Sequence, residues 1–226
     1  MTATVCLQGG GEFSAGCRPM DAALVRGADG PVVVTALAGA VGREYATANR
    51  NGVAHYRSVG AAQVVAAPDV REDLEGALAA LRRARLLVLP GGSPTRLLAA
   101  LTTTPVGGVV AALLADGGTV MGSSAGAMVL GAWTVLPGQG PTVRPGLGLV
   151  PGVLVVPHWT GGRADWLRAV DAGVPGDTHV LGLPEESGVA VRDGALTAVG
   201  VAPTRLVRQG RDLAVGRTWS PGPAGA

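Results

Sequence analysis

The chain has 226 residues, of which 47% are hydrophobic, 15% charged and 3% aromatic, with a formal net charge of +2. That length fits one domain with a sizeable buried core, and that composition does not fit disorder. The cations are scattered arginines without a single lysine, and aromatic residues are too few for base-stacking platforms, so neither nucleic acid nor a membrane surface is an expected partner.

The opening run MTATVCLQGGG has no basic start and reaches glycine too soon for a signal peptide. Gly, Pro or Arg interrupts every apolar run well short of the ~20 residues a membrane span needs. A soluble cytoplasmic protein is therefore the expectation. Cys6 and Cys17 are too few for a disulfide scaffold, and Cys6 reads as a reduced, buried residue.

Along the chain, short β-branched runs alternate with longer Ala/Leu/Arg stretches of helical period, the rhythm of a parallel sheet covered on both faces. The predicted strands are Thr4–Gln8, Val32–Ala36, Gln63–Ala67, Leu86–Pro90 and Thr119–Ser123. Between them, Asp69–Ala84 reads as a helix with acids in its first turn and arginines in its last. Pro94–Leu101 and Val106–Ala115 read as two more. From Leu136 to Gly152 glycine and proline dominate, which predicts a loop with short extended pieces, placed to wall a site. A strand at Val153–Pro157, a helix at Ala164–Val170 and the paired runs HVLGLP and SGVAVRDGALTAVG follow, the last with a hairpin signal at Asp193-Gly194. The Pro/Gly-rich end, from about residue 219 to 226, reads as a frayed tail, and no linker divides the chain into two domains.

One element carries chemistry. Gly122-Ser123-Ser124-Ala125-Gly126-Ala127 fits G-x-S-x-G directly after a predicted strand and before a predicted helix. Small residues on either side let strand and helix approach closely, so the Ser124 hydroxyl is exposed on a sharp turn. The helix start leaves the Ala125 N–H free to face a developing oxyanion. Taken alone the pattern also fits a close-packed turn. A P-loop is excluded for want of Gly-Lys-Ser/Thr, and a dinucleotide fingerprint at Gly9-Gly10-Gly11 would need glycine where Ser14 stands.

A nucleophilic serine needs a base, and the chain has three histidines. His55 falls inside a helical stretch and reads as a partly exposed helix residue; His179 precedes a strand. His158 follows the apolar run Val153–Pro157, at the carboxyl edge where ligand sites of open α/β sheets collect. The acid that orients it is Glu185 or the adjacent Glu186, both after the run ending at Gly182. A second oxyanion donor falls on Gly91 or Gly92, with Ser93 beside them at another strand-to-helix junction, and Gly9–Gly11 line the same edge. Arg163 is the candidate for a substrate carboxylate, against an ordinary surface ion pair. No metal or other cofactor is expected, since no His/Cys/Asp cluster has ligand spacing.

The succession strand-PGGS-helix, strand-GSSAGA-helix, PGLGLVPG-strand-His and GLPEESGVAV resembles peptidase family S51, which includes aspartyl dipeptidase (peptidase E) and cyanophycinase. The resemblance covers about Leu86 to Gly200, and less distinctly the first strand. It implies an α/β fold, a three-layer α/β/α sandwich with a mostly parallel sheet, flavodoxin-like and similar to class I glutamine amidotransferases. It also implies a serine peptidase or amidohydrolase acting on a small peptide or amide through an acyl-enzyme. The family's nucleophile, base and glutamate fall on Ser124, His158 and Glu185.

The chain departs from cyanophycinase-like members, which carry Asp-Gln before the histidine and after the Gly-Gly pair. Here Val156-Pro157 and Ser93-Pro94 stand instead, and the arginines after the histidine reduce to Arg163 and Arg168. Met128–Pro157 holds no Asp or Glu, which removes both the peptidase E position for the third member and the acid an esterase of the α/β-hydrolase class would need. The other reading is a non-catalytic binding protein that keeps the fold. A homodimer is left open.

Overall fold

A computed structural model describes residues 3–221. Its elements run β1 (Thr4–Gln8), α1 (Arg18–Ala28), β2 (Val32–Val34), α2 (Arg43–Ser58), β3 (Val64–Ala66), α3 (Leu74–Leu81), β4 (Leu86–Leu89), α4 (Pro94–Thr103), α5 (Val106–Ala115), β5 (Thr119–Ser123), α6 (Ala125–Leu130) and β6 (Gly131–Leu136). They continue with β7 (Thr142–Pro145), β8 (Val150–Val156), α7 (Ala164–Gly173), β9 (His179–Gly182), β10 (Ser187–Arg192), β11 (Ala195–Gly200), β12 (Thr204–Leu206), β13 (Arg211–Leu213) and β14 (Thr218–Trp219).

The larger sheet has the order β14-β11-β10-β1-β5-β4-β2-β3. Its strands from β1 to β3 are parallel, and the β10, β11 and β14 side joins antiparallel. Because side chains alternate along a strand, each central strand supplies two cores. Val5, Leu7, Val33, Leu87, Leu89 and Val120 face α3, α4 and α5 in one. Cys6, Val32, Val34, Leu86, Val88 and Met121 face α1 and α2 in the other. Both faces being covered, these strands are nearly continuous apolar runs, as a buried parallel sheet requires. The result is an α/β fold in three layers.

Of the smaller sheet, β13-β12-β9-β8-β6-β7, the sequence reading holds the strands β8 and β9 but not their assembly into a second sheet. Within it β6, β8 and β9 are parallel, and β8 alternates between the main core, through Val153 and Val155, and a third cluster with α7, through Leu154 and Val156. In the segment 136–152, expected as a loop with short extended pieces, those pieces are the end of β6, β7 and the start of β8, and β7 forms a hairpin with β6; Val143 of β7 packs against Gly173 of α7. The runs expected to pair also part company: β9 pairs with β8 and β12, whereas β10 pairs with β1 and β11. The chain between β9 and β10 therefore crosses from one sheet to the other.

Smaller differences have local causes. The helix expected from Asp69 begins at Leu74, because the Asp69 carboxylate takes the Arg71 backbone N–H and guanidinium and holds a turn, and Asp73 then caps α3 through the Gly76 N–H. Trp219, placed in the frayed tail, pairs through β14 with Leu196; residues 222–226 of that tail lie outside the described residues. His55 is buried, not partly exposed: its Nε2 lies 2.7 Å from the fully buried Asp21 carboxylate, which also accepts from Tyr56 at 3.2 Å. Cys6 and Cys17 are buried free thiols, and burial pushes both pKa values up. Among the described residues no single helix is long and apolar enough to cross a membrane.

Candidate active site

The site forms where the two sheets meet, at the carboxyl ends of β1, β4, β5, β8 and β9. Register dictates it. Gln8 pairs with Ser123 and Leu89 with Gly122, so Gly9, Pro90 and Ser124 leave the larger sheet side by side. In the smaller sheet Val156 pairs with Gly182, which brings the turns after β8 and β9 together.

Ser124 has φ 48° and ψ −107°, a conformation most L-residues avoid. Packing holds it there. A Cβ on Gly122 would come within 2.5 Å of the Gly126 backbone, and one on Gly126 within 2.3 Å of the Leu89 oxygen, so only glycine admits this elbow between β5 and α6. The Ser124 N–H donates to the Gln8 oxygen, which ties the elbow to β1.

The glycine run after β1 does more than line the edge. The Gly9 carbonyl accepts from the His158 N–H at 2.8 Å, and the Gly10 carbonyl from the Glu186 N–H at 2.8 Å. Gly10 has φ 130°, and a Cβ there would stand 2.3 Å from His158 Cε1. The imidazole thus lies against a bare backbone, on a histidine that itself has φ 51°.

These turns bring three side chains into one line. Ser124 Oγ is 2.9 Å from His158 Nε2, and His158 Nδ1 is 2.9 Å from Glu185 Oε1. With the proton on Nδ1 donated to the carboxylate, Nε2 is the acceptor for the serine hydroxyl. Glu186 turns away and accepts from the Ser14 hydroxyl at 2.5 Å. The line runs outward: Ser124 is half-buried on a buried elbow, whereas the Glu185 side chain is 63% exposed.

The remaining sequence-derived candidates divide. Ala125 and Gly92 N–H groups meet no acceptor among the described residues. The Gly91 N–H is engaged, donating to Glu12 Oε1 at 2.7 Å. Ser93 caps α4, its hydroxyl accepting from the Arg96 N–H at 3.2 Å. Arg163 lies 4.7 Å over the Trp166 ring, with no hydrogen bond to the serine, histidine and glutamate. His179 sits at the amino end of β9 against Trp219, and burial lowers its pKa. No group of three or more His, Cys, Asp or Glu side chains among the described residues is arranged to hold a metal ion.

Glu12 is the residue the sequence reading missed. It directly follows the glycine run at the end of a central strand, and an acid in that position was the available signal.

The family model Peptidase_S51, "Peptidase family S51", matches residues 42–199, which includes the elbow and both other members of the line but not the glycine run. No curated protein matches the chain. Among solved structures, the chain is similar to a peptidase from an acI-B1 actinobacterium, at 21% identity over 97% of each chain with a TM-score of 0.84. It is also similar to a candidate peptidase E of Listeria monocytogenes EGD-e, at 16% identity over 89% of this chain and all of that one, with a TM-score of 0.67.

Proposed function

Since the chain belongs to peptidase family S51, we propose that it is a serine peptidase or amidohydrolase that cleaves a small peptide or amide through an acyl-enzyme. The observation that carries this reading is the relay Ser124–His158–Glu185, with both of its hydrogen bonds at 2.9 Å. A serine beside a histidine that a carboxylate orients is the arrangement nucleophilic acyl transfer needs.

In this mechanism Ser124 Oγ attacks the scissile carbonyl carbon while His158 Nε2 takes the hydroxyl proton. The imidazolium is stabilised by Glu185 and returns the proton to the leaving amine, which departs and leaves an ester on Ser124. Water, deprotonated by the same histidine, then cleaves that ester. The tetrahedral oxyanion is received by the Ala125 N–H, at the start of α6, and by an N–H of the Gly91-Gly92 turn. Gly92 offers a free donor there, and Gly91 one that Glu12 must share or release. Donors fixed in advance contribute more than water can, because they need no reorganisation as charge develops.

The test is hydrolysis of a panel of dipeptides and simple amides by the wild-type enzyme and Ser124→Ala. Loss of roughly 10⁴-fold or more in kcat/KM is expected, the scale on which removing a triad nucleophile acts. Unchanged hydrolysis by the variant would rule the scheme out.

A further inference from the structure

His158 reaches Ser124 from a backbone conformation that L-residues seldom adopt, with φ 51°. Such a conformation persists only where the surroundings over-determine it. Glu185 does not do so: its side chain is 63% exposed and bonds the imidazole at one nitrogen. The chain on either side of the ring does. The His158 N–H is pinned to the Gly9 oxygen at 2.8 Å, and the next N–H along, that of Trp159, to the Leu183 oxygen at 2.9 Å. The half-buried Trp159 indole then lies against the bare backbone of Gly182 in β9, where a Cβ would stand 2.7 Å from Trp159 Cγ and 2.8 Å from its Cε2. Beyond that seat the indole packs against the cluster that holds Leu154, Val156 and Val180.

Rotation about the His158 N–Cα bond moves Cβ and the carbonyl carbon together, because both are bonded to the same Cα. With the N–H pinned to Gly9, the imidazole and Trp159 therefore turn as one unit. Relaxing φ to the negative values most residues prefer would swing the imidazole off Gly10, away from Ser124, and would lift the indole off Gly182. What seats Trp159 on one side thus fixes the direction in which the imidazole leaves the chain on the other. We propose that Trp159 is a positioning residue for the relay, acting through His158: its indole on Gly182 keeps the imidazole on Gly10 and within reach of the Ser124 hydroxyl. This rests on the hydrolase reading of Ser124. Gly10 and Gly182 then have matched roles, each the seat of one ring, in the larger and the smaller sheet's share of the site.

The probe is a simple alkyl fluorophosphonate, with labelling of Ser124 followed by peptide mass over a range of probe concentrations and the unfolding midpoint of each protein measured beside it. In Trp159→Leu the maximal labelling rate is expected to fall about a hundredfold, the scale of a 1 Å misplacement, while the half-saturating concentration stays within about threefold. Trp159→Phe, which returns an aromatic ring to Gly182, should recover at least about tenfold of that loss. Trp133→Leu removes an indole from the same cluster and should lower the midpoint with labelling within about threefold of wild type. If the wild type labels on Ser124 and Trp159→Leu labels as fast, or Trp133→Leu is slowed equally, the assignment of Trp159 is overturned and the hydrolase reading stands. If nothing labels Ser124 in the wild type, the hydrolase reading falls and takes this assignment with it. Should Trp159→Leu not unfold cooperatively, Trp159→Phe and Gly182→Ala decide. In Gly182→Ala the indole stays but loses its seat, so labelling at least about tenfold slower is expected, and the wild-type rate would overturn the assignment.

Discussion

The elbow that carries Ser124 and the turn that carries Glu185 serve the same relay by opposite means. At the elbow, backbone meets backbone: Gly122 against Gly126, Gly126 against Leu89, with every residue of α6 buried. At the turn, a 63% exposed side chain reaches back to His158 with water on its other sides. The first is fixed by packing, which tolerates no added atom. The second is fixed by one hydrogen bond and by the backbone tethers of Leu183 and Glu186 to the neighbouring loops. His158 sits between them, held at its backbone by Gly9 and with its ring laid against Gly10.

That contrast predicts a graded response. Gly122→Ala should act most strongly, because the new methyl meets backbone rather than a flexible side-chain end. Under the proposed scheme, displacing Ser124 by about 1 Å is worth on the order of a hundredfold in kcat, and overpacking costs about 1–3 kcal/mol of stability, so both kinetics and the unfolding midpoint should fall. Glu185→Gln should lower kcat/KM by roughly ten- to a hundredfold, short of the ~10⁴ lost from a buried triad acid, with the unfolding midpoint little changed. A loss as large as that from Ser124→Ala would show that the exposed turn is as decisive as the elbow. Glu186→Gln, which still accepts from Ser14, should stay within about threefold of wild type.

The smallest expected effect lies at the far end of β9 from the Glu185 turn. Burial, opposed in part by the Asp177 charge and aided by that of Arg208, holds His179 below its ordinary 6.5. The unfolded chain therefore binds the proton more readily, so this residue's contribution to stability is full above pH 6.5 and is lost as pH falls through that value toward the folded pKa. Unfolding midpoints measured between pH 8 and pH 5 should fall less steeply in His179→Gln than in wild type. An identical slope would mean the ring does not titrate differently in the two states.

How far the sequence reveals this arrangement follows the same division. Thr119–Ser123 and Val106–Ala115 coincide with β5 and α5 residue for residue, since an apolar run bounded by Gly-Gly or Thr-Pro leaves little latitude. The elbow is legible for the same reason: its glycines are required by sterics, and sterics leave a mark in composition. The smaller sheet is not legible, because β12 and β13 have three residues each and β7 is an exposed four-residue edge strand, too short for any period to stand out. Nor could local pattern separate β9 from β10; only the crossing between sheets explains why Glu185 reaches His158 while its neighbour turns to Ser14. Glu12 escaped because its contacts, with residues 91 and 123, are long-range, and its place directly after the glycine run is its one local mark.

The most direct measurement is the rate and position of fluorophosphonate labelling at neutral pH in wild type and His158→Gln, with the modified peptide identified by mass. A single adduct on Ser124, formed at least about 10³-fold more slowly in the variant, is the predicted result. An adduct on any other residue, or equal rates in the two proteins, would contradict it.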